Sequence, residues 1–413
     1  MSKADDKRVW AFTPRFRRGA FGWRSDTAIA RVKEAVAEIK AVSRKEPLLA
    51  AEGAVLFLTK VSPALQNFDS SSGAIGTAVN RAIEALVPIL AKAPADGLTR
   101  RKWLEQLYQA HADDDIPYIE TLGDHWGTLC ASAELAGEWA DRLVQTVETV
   151  WSRSRREHGH FHGTFMCLSA LFGAGRYDQL LALLDTCPYP SWSYRQWGVK
   201  AHLALGNKAE ALRYAEASHG LNAPFGQIAE ACEAILLSSG LRDEAYQRYA
   251  FAANRAGTYF ATFRAICRKY PHKQPETILD DLVASTPGEE GKWFAAAKDV
   301  KLYDFAIKLA QKSPVDHRTL IRSAADFAAT EPLFALNSGL MALYWICAGR
   351  AYDVTSGEIR SAYDLTLRAA EVAQCKETVL QQIRNLLESF PQERLVKGVL
   401  ASVKELWSVG QVP

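Results

Sequence analysis

Cysteine is scarce and scattered in this sequence, with seven single residues in 413 positions and no Cys-x-x-Cys pair. A disulfide framework or a cysteine zinc site needs paired or closely spaced cysteines. We therefore expect free thiols, no structural metal and a cytoplasmic location. The first residues also lack the apolar segment of a secretory signal, which agrees with that expectation.

The chain has little excess charge, because 49 basic residues face 47 acidic ones. The net charge therefore gives no strong long-range attraction to nucleic acid or to an anionic membrane. Residues 332–349 carry no charge, but this length is at the lower edge for a membrane span, and Asn337, Ser338 and Gly339 lie at its middle. We expect a buried inner helix or helix pair there, and no contact with a membrane.

Fingerprints of common catalytic sites are missing from the sequence. It contains no G-x-S-x-G, H-E-x-x-H or G-x-G-x-x-G motif. The hydroxyl- and glycine-rich run at residues 69–76 lacks the lysine of a nucleotide-binding P-loop. We predict a non-enzymatic protein without a cofactor.

Helical periodicity dominates what is present. The sequence contains 64 alanines against 16 prolines, a bias that favours helix. Ile29, Val32, Val36 and Ile39 form a single apolar stripe at helical spacing, and later segments repeat this pattern. Short breaks with Gly, Pro, Asn or Asp separate the stripes, as expected between antiparallel helices. The predicted fold class is all-α.

The middle of the chain contains a repeated turn. Gly175, Gly206 and Gly240 each follow an apolar helix and precede a second helix, 31 and 34 residues apart. Weaker echoes at His272 and Val300 continue the series at 32 and 28 residues. Between about residues 161 and 312 the chain resembles the tetratricopeptide family, a helix–turn–helix repeat of about 34 residues. The resemblance implies an α-solenoid of antiparallel helix pairs.

We divide the chain into four segments on these patterns. Residues 1–25 form a basic and aromatic arm, and residues 26–157 an N-terminal helical region. Residues 158–312 hold the tetratricopeptide-like repeats, and residues 313–413 the C-terminal helices and cap. Atypical helices at both ends are expected, because a solenoid must cover its terminal repeats. We expect one curved solenoid.

Stacked helix pairs present separate side chains to an extended partner, so we predict that the concave surface binds a protein. The same surface could also join copies of this chain. Exposed aromatic and arginine side chains are favoured at such contacts. The candidates on the inner helices are Tyr194, Arg195, Trp197, Lys200, Gln227 and Glu230.

A second hypothesis is nucleic-acid binding through the N-terminal arm and a basic cluster at residues 153–156. Arginines among aromatics supply cations for phosphates and ring faces for bases. The favoured interpretation is that the aromatics fold back on the first helices while the arginines stay solvated. The candidates are Arg15, Arg17, Arg18, Trp23, Arg24, Arg153, Arg155 and Arg156.

A third hypothesis is a hydrolase without a known motif. Carboxylates and imidazoles gather between His111 and His125, including Asp113 to Asp115, Glu120 and Asp124. A standard polar loop and helix start is the favoured interpretation of this run. His158, His160 and His162 alternate but have no fourth ligand at suitable spacing, so we read them as loop histidines.

Overall fold

The computed structural model describes residues 9–22, 25–68, 73–152, 161–188, 190–218, 220 and 223–407. These residues contain helices, turns and loops, and no strand. The chain divides into two compact units, Met1–Ile228 and Ala229–Pro413. The predicted segment boundaries after residues 157 and 312 fall inside these units.

The first unit is built from helices that pack on their neighbours along the chain. Short 3-10 helices at Thr13–Arg15 and Glu120–His125 accompany them. The helices described in this unit are α1 Ser25–Ser43, α2 Pro47–Leu65, α3 Ala74–Lys92, α4 Gly97–Ala112, α5 Trp126–Cys130, α6 Ala133–Ser152, α7 Thr164–Gly173, α8 Tyr177–Asp185, α9 Trp192–Ala204 and α10 Lys208–Glu216.

Two layers of helices run through this unit. Helices α5, α7 and α9 belong to one layer, with α5 against α7 and α7 against α9. Helices α4, α6 and α8 belong to the other, and exposed ion pairs join them: Arg101 with Glu138, and Arg176 with Asp141, both at 2.5 Å. Such exposed pairs contribute little each, so the shared apolar core holds the layers together.

The N-terminal arm folds back on α2, as the favoured interpretation predicts. Trp10, Phe12 and Phe16 are buried in the core of the first unit, and the Trp10 ring lies directly on the backbone of Gly53. Phe12 and Phe16 meet Phe57 edge-on, with ring centroids 5.8 and 5.2 Å apart. The arm is therefore part of the core, because these rings would otherwise be exposed to water.

The second unit is also all-α over its described residues. Helix α11 begins four residues before the unit boundary, and a 3-10 helix lies at Glu290–Trp293. The helices are α11 Phe225–Ser238, α12 Arg242–Ala253, α13 Tyr259–Lys269, α14 Pro275–Ala284, α15 Phe294–Asp299, α16 Tyr303–Lys312, α17 His317–Phe327, α18 Pro332–Cys347, α19 Ser356–Val372, α20 Lys376–Ser389, α21 Arg394–Leu400 and α22 Lys404–Trp407.

Helices of the second unit also pack on their neighbours along the chain, for example α17 on α18 and α18 on α19. The uncharged stretch at residues 332–349 is the long inner helix α18, as predicted, and its Gly339 lies against Thr366 of α19. A buried carboxylate, Glu233, accepts hydrogen bonds from Tyr270 at 2.5 Å and Asn254 at 2.7 Å, and from Lys269. Both units thus have the all-α, solenoid-type packing that the sequence predicts.

The repeated turns of the first unit share one hydrogen-bond pattern. Gly175 and Gly206 have φ of 71° and 79°, in the left-handed region. The Gly206 N–H donates to the Leu203 carbonyl and the Asn207 N–H to the His202 carbonyl, at 3.0 and 2.8 Å. This is the Schellman arrangement that ends a helix, and it confirms the tetratricopeptide-like helix–turn–helix.

In the second unit the turn recurs, but the residue at its left-handed position varies. Gly240 has φ of 79°, but Lys301 at 62° takes the glycine's place near the Val300 echo. The His272 echo was predicted to continue the series, yet no described residue of that turn has positive φ. There α13 ends at Lys269 and Pro275 begins α14, so a helix pair forms through a different turn.

Two helices of the first unit, α2 and α3, are long and apolar enough to cross a membrane by length and composition. In α2, 61% of the apolar window is buried inside the protein, and in α3 39%. Core helices of globular proteins have the same composition, and α2 packs against the aromatic side chains of the arm. The expectation of no membrane contact stays a prediction.

We predict opposite effects of alanine at two glycines of the first unit. Gly206→Ala should lower the free energy of unfolding by about 1 kcal/mol, because a Cβ strains a left-handed residue. Gly137→Ala should raise it by about 0.4–1 kcal/mol, because Gly137 lies inside α6 with space around it. Urea unfolding of both variants measures this. If both variants change the free energy of unfolding in the same direction, the assignment of a left-handed turn at Gly206 is wrong.

Candidate functional site

A cleft of about 450 Å³ opens on the α5–α7–α9 layer of the first unit. The end of the 3-10 helix Glu120–His125 forms one side of the cleft and α9 the other. The residues that line it are Asp124, His125, Gly127, Thr128, Ser169, Phe172, Gly173, Gln196, Trp197 and Lys200. We refer to it below as the 124–200 cleft.

The floor of this cleft is a close backbone contact between α5 and α7. A Cβ on Gly173 would lie 2.7 Å from the Gly127 Cα, and a Cβ on Gly127 would lie 2.1 Å from the Ser169 carbonyl oxygen. The Ser169 hydroxyl accepts from the Gly127 N–H and donates to the Asp124 carbonyl, both at 3.0 Å. These contacts fix the backbone that carries Asp124 and His125 beside α7.

Lys200 extends its ammonium group over the ring of Trp197, with Nζ 3.9 Å from the ring centroid. Over the described part of the chain, this amine makes no hydrogen bond and no ion pair. Burial lowers the pKa of Lys200, and the charge of Asp124 offsets part of that effect. The cation–π contact with Trp197 is thus the direct contact that the Lys200 ammonium group makes within the described chain.

Across the cleft, Asp124 and His125 are also partly withdrawn from water. Burial raises the pKa of the Asp124 carboxyl, although Lys200 acts in the opposite direction. Burial lowers the pKa of His125, so its imidazole is neutral near neutral pH. Among the described residues, the carboxylate of Asp124 has no hydrogen-bond donor.

The cleft therefore contains an exposed cation beside a half-buried carboxylate and a half-buried imidazole. Charged groups that line a cleft without a protein partner mark a candidate binding site, because a ligand can supply the missing contacts. The arrangement can bind groups of either charge. Phe172 and Trp197 supply apolar walls, while Thr128 and Gln196 supply polar groups.

Of the partner-binding candidates on α9, Lys200 and one edge of Trp197 line the cleft, whereas Tyr194 and Arg195 have roles inside the fold. Trp197 is 3% exposed, so the prediction that it lies on a free surface is wrong, although one edge of it reaches the cleft. Tyr194 packs between Trp151 and Phe165, with ring centroids 5.6 and 5.1 Å away. Their aromatic surface is used within the first unit.

Arg195 secures the end of α10. Its guanidinium donates to the Ser218 hydroxyl at 2.6 Å and to the Tyr214 carbonyl at 3.1 Å, and it stacks over the Tyr214 ring. Arginine at a helix C-terminus satisfies carbonyls that have no partner within the helix. Gln227 and Glu230 are exposed on α11, and their role in binding stays a prediction.

The described arginines of the arm are exposed but mostly engaged. Arg15 pairs with Glu34 at 2.7 Å, Arg18 donates to Gln66 at 2.8 Å, and Arg17 extends to solvent. The remaining nucleic-acid candidates lie outside the described residues: Trp23, Arg24, Arg153, Arg155 and Arg156. Binding of nucleic acid by this group stays a prediction.

The carboxylates and imidazoles between His111 and His125 separate into two groups. Asp114 is buried, accepts from the Ile119 N–H at 2.7 Å and from the Ser62 hydroxyl, and so fixes the loop, as the favoured interpretation expects. His111 is buried beside it, with its Nε2 3.3 Å from the Glu120 carbonyl. Asp124 and His125 line the cleft, whereas Asp113, Asp115 and Glu120 are not among its lining residues.

The histidine run is only partly described. His158 and His160 lie outside the described residues, and His162 is exposed with its ring 6.3 Å from that of His111. No group of three potential metal ligands occurs among the residues that the structure describes.

Comparison with known proteins does not identify a family for this chain. No protein-family model matches the sequence, and no curated protein matches it. A chain in the crystal structure of the APC/C hetero-tetramer Cut9-Hcn1 is similar at 13% identity, with a TM-score of 0.21. The alignment covers 92% of this chain and 82% of that chain. The fold assignment therefore rests on the helix pairs and turns described above.

Sequence reasoning missed the connection between two of its own candidates. It assigned Asp124 and His125 to a catalytic hypothesis and Lys200 to partner binding, whereas the structure brings them into one cleft. Gln196 was missed, although its i, i+4 spacing from Lys200 indicates a shared helix face. Ser169 carries no sequence signal, because its role depends on the crossing of α5 and α7.

We predict that Arg195 and Lys200 differ in their effect on stability. Arg195→Ala should lower the free energy of unfolding by about 1.5–3 kcal/mol, because hydrogen bonds from a charged donor are lost. Lys200→Ala should leave it within about 0.5 kcal/mol, because the amine makes no hydrogen bond within the described chain. Denaturant unfolding separates the two. A large loss for Lys200→Ala would make Lys200 structural.

Proposed function

We propose that this protein is a non-enzymatic helical-repeat scaffold that binds a protein segment in the 124–200 cleft. The observation that carries the proposal is the pair of opposite charges, Lys200 and Asp124, that line the cleft. Neither has a hydrogen-bond or ion-pair partner in the described chain. A bound segment that supplies counter-charges forms charge-assisted contacts with both groups.

The layered helices favour a polypeptide partner. Residues of the 3-10 helix Glu120–His125, α5, α7 and α9 line the cleft, so it presents side chains from several elements to one ligand. Its volume lies within the range of about 300–1,000 Å³ found for ligand sites. Stacked repeats use such surfaces to bind extended segments of other proteins.

We further propose a cytoplasmic setting. All seven cysteines are free thiols, and Cys130, Cys167, Cys232 and Cys347 among them are buried. Burial raises the pKa of Cys130 and of Cys167 to about 12, so these thiols stay protonated and unreactive. Unpaired cysteines in this number are typical of a reducing compartment.

Photo-crosslinking tests the proposed function. A benzoylphenylalanine placed at Gln196, inside the cleft, should crosslink to a discrete protein in native cells. The same group at Lys33, an exposed position on α1, is the control and should not. Adding Lys200→Gln to the Gln196 variant should weaken the crosslinked band about tenfold, because a charge contact worth about 1.4 kcal/mol or more is lost.

The outcomes separate the hypotheses. A crosslinked band that disappears when the lysate is treated with nuclease before capture would favour a nucleic-acid bridge. A band at the size of two copies of this chain would identify self-association. Equal crosslinking from Gln196 and Lys33, or no dependence on Lys200, would contradict binding in the cleft.

A further inference from the structure

The charges in the 124–200 cleft are of both signs, and this selects among partners. Lys200 interacts electrostatically with Asp124, and Glu120 acts on Asp124 in the opposite direction, yet neither Lys200 nor Asp124 has an ion-pair partner among the described residues. The cleft is therefore not a basic or an acidic patch. A ligand of one charge would satisfy one group and oppose the other.

We propose that the segment bound in this cleft is an extended polypeptide that carries an acidic and a basic side chain, the acid for Lys200 and the base for Asp124. This inference rests on the proposed function, because it names the chemistry of the segment that the scaffold binds. Charge-assisted contacts of this kind are stronger than neutral hydrogen bonds, and their two signs fix the direction of the bound chain.

Polar side chains that line the cleft can form hydrogen bonds with the main chain of a bound peptide. The Gln196 amide donates from Nε2 to the Ser193 carbonyl at 3.0 Å, so its Oε1 can accept a main-chain N–H. Thr128 is exposed at the other side of the cleft and carries a hydroxyl that donates and accepts. The apolar walls, Phe172 and Trp197, can contact the stems of the charged side chains.

The carboxylate also argues against a nucleic-acid ligand. Phosphates would approach Lys200 but would be repelled by Asp124, whose charge is only partly screened because the group is withdrawn from water. His125 is neutral near neutral pH and adds no positive charge. A peptide with both charges supplies a counter-charge to Lys200 and to Asp124.

The test uses a random library of ten-residue peptides displayed on mRNA and selected on the full-length protein. Peptides that crosslink to benzoylphenylalanine at Gln196 should be enriched in an acidic and a basic residue at a fixed spacing. Selection on Lys200→Gln should abolish the acidic preference and keep the basic one. Selection on Asp124→Asn should do the reverse, and Lys33→Gln, the control, should change neither.

The results of these selections distinguish failure of the inference from failure of the proposed function. If cleft-bound peptides show no charge preference, or if both variants keep both preferences, the inference is wrong while the scaffold function stands. If no library peptide crosslinks in the cleft, the inference fails. Failure of the crosslinking in native cells as well would then reject the proposed function too. Binding of single-stranded oligonucleotides at Gln196 in place of peptides would also overturn the inference.

Discussion

The close contact of α5 with α7 is the constraint on which the candidate site depends. Gly127 and Gly173 meet with no room for a side chain on either. Ser169 then bonds to the backbone on both sides of the crossing. Because the two backbones touch there, Asp124 and His125 are held at the edge of α7, within the electrostatic range of Lys200 on α9.

The buried charges Arg100 and Asp114 of the first unit have hydrogen-bond partners inside the fold, unlike the two charges of the cleft. Arg100 is buried but donates to the carbonyls of Leu90 and Ala93, at 2.5 and 2.8 Å, where α3 ends. Asp114 accepts from a backbone amide and a hydroxyl. Lys200, which is exposed, and Asp124, which is half-buried, have no such hydrogen bonds in the described chain and remain available to a ligand.

The fold was largely predictable from the sequence because its signals are local. Apolar periodicity predicts the helices, and the glycines at residues 175, 206 and 240 predict the left-handed turns that the structure contains. The turn at Lys301 was harder to predict, because a non-glycine residue in the left-handed region has no clear sequence mark. The folded-back arm was predictable because five aromatic residues lie in 25 positions.

The site was predictable only in pieces. Sequence spacing placed Trp197 and Lys200 on one helix but could not show that the ring is buried and supports the amine. Asp124 lies 76 residues before Lys200, and only the crossing of α5 and α7 brings them together. Arg195 was predicted to be a contact residue because arginine is common at interfaces. In the structure its guanidinium donates instead to a carbonyl near the end of α10.

Titration of the two charges by NMR tests most directly whether the cleft contains desolvated and unpaired groups. In the full-length protein, the Lys200 amine should titrate below its ordinary pKa and the Asp124 carboxyl above its own. Lys200→Met should raise the pKa of Asp124 further, because the lysine charge lowers it. Ordinary pKa values for both groups, or no response of Asp124 to Lys200→Met, would contradict a cleft that keeps two charges for a ligand.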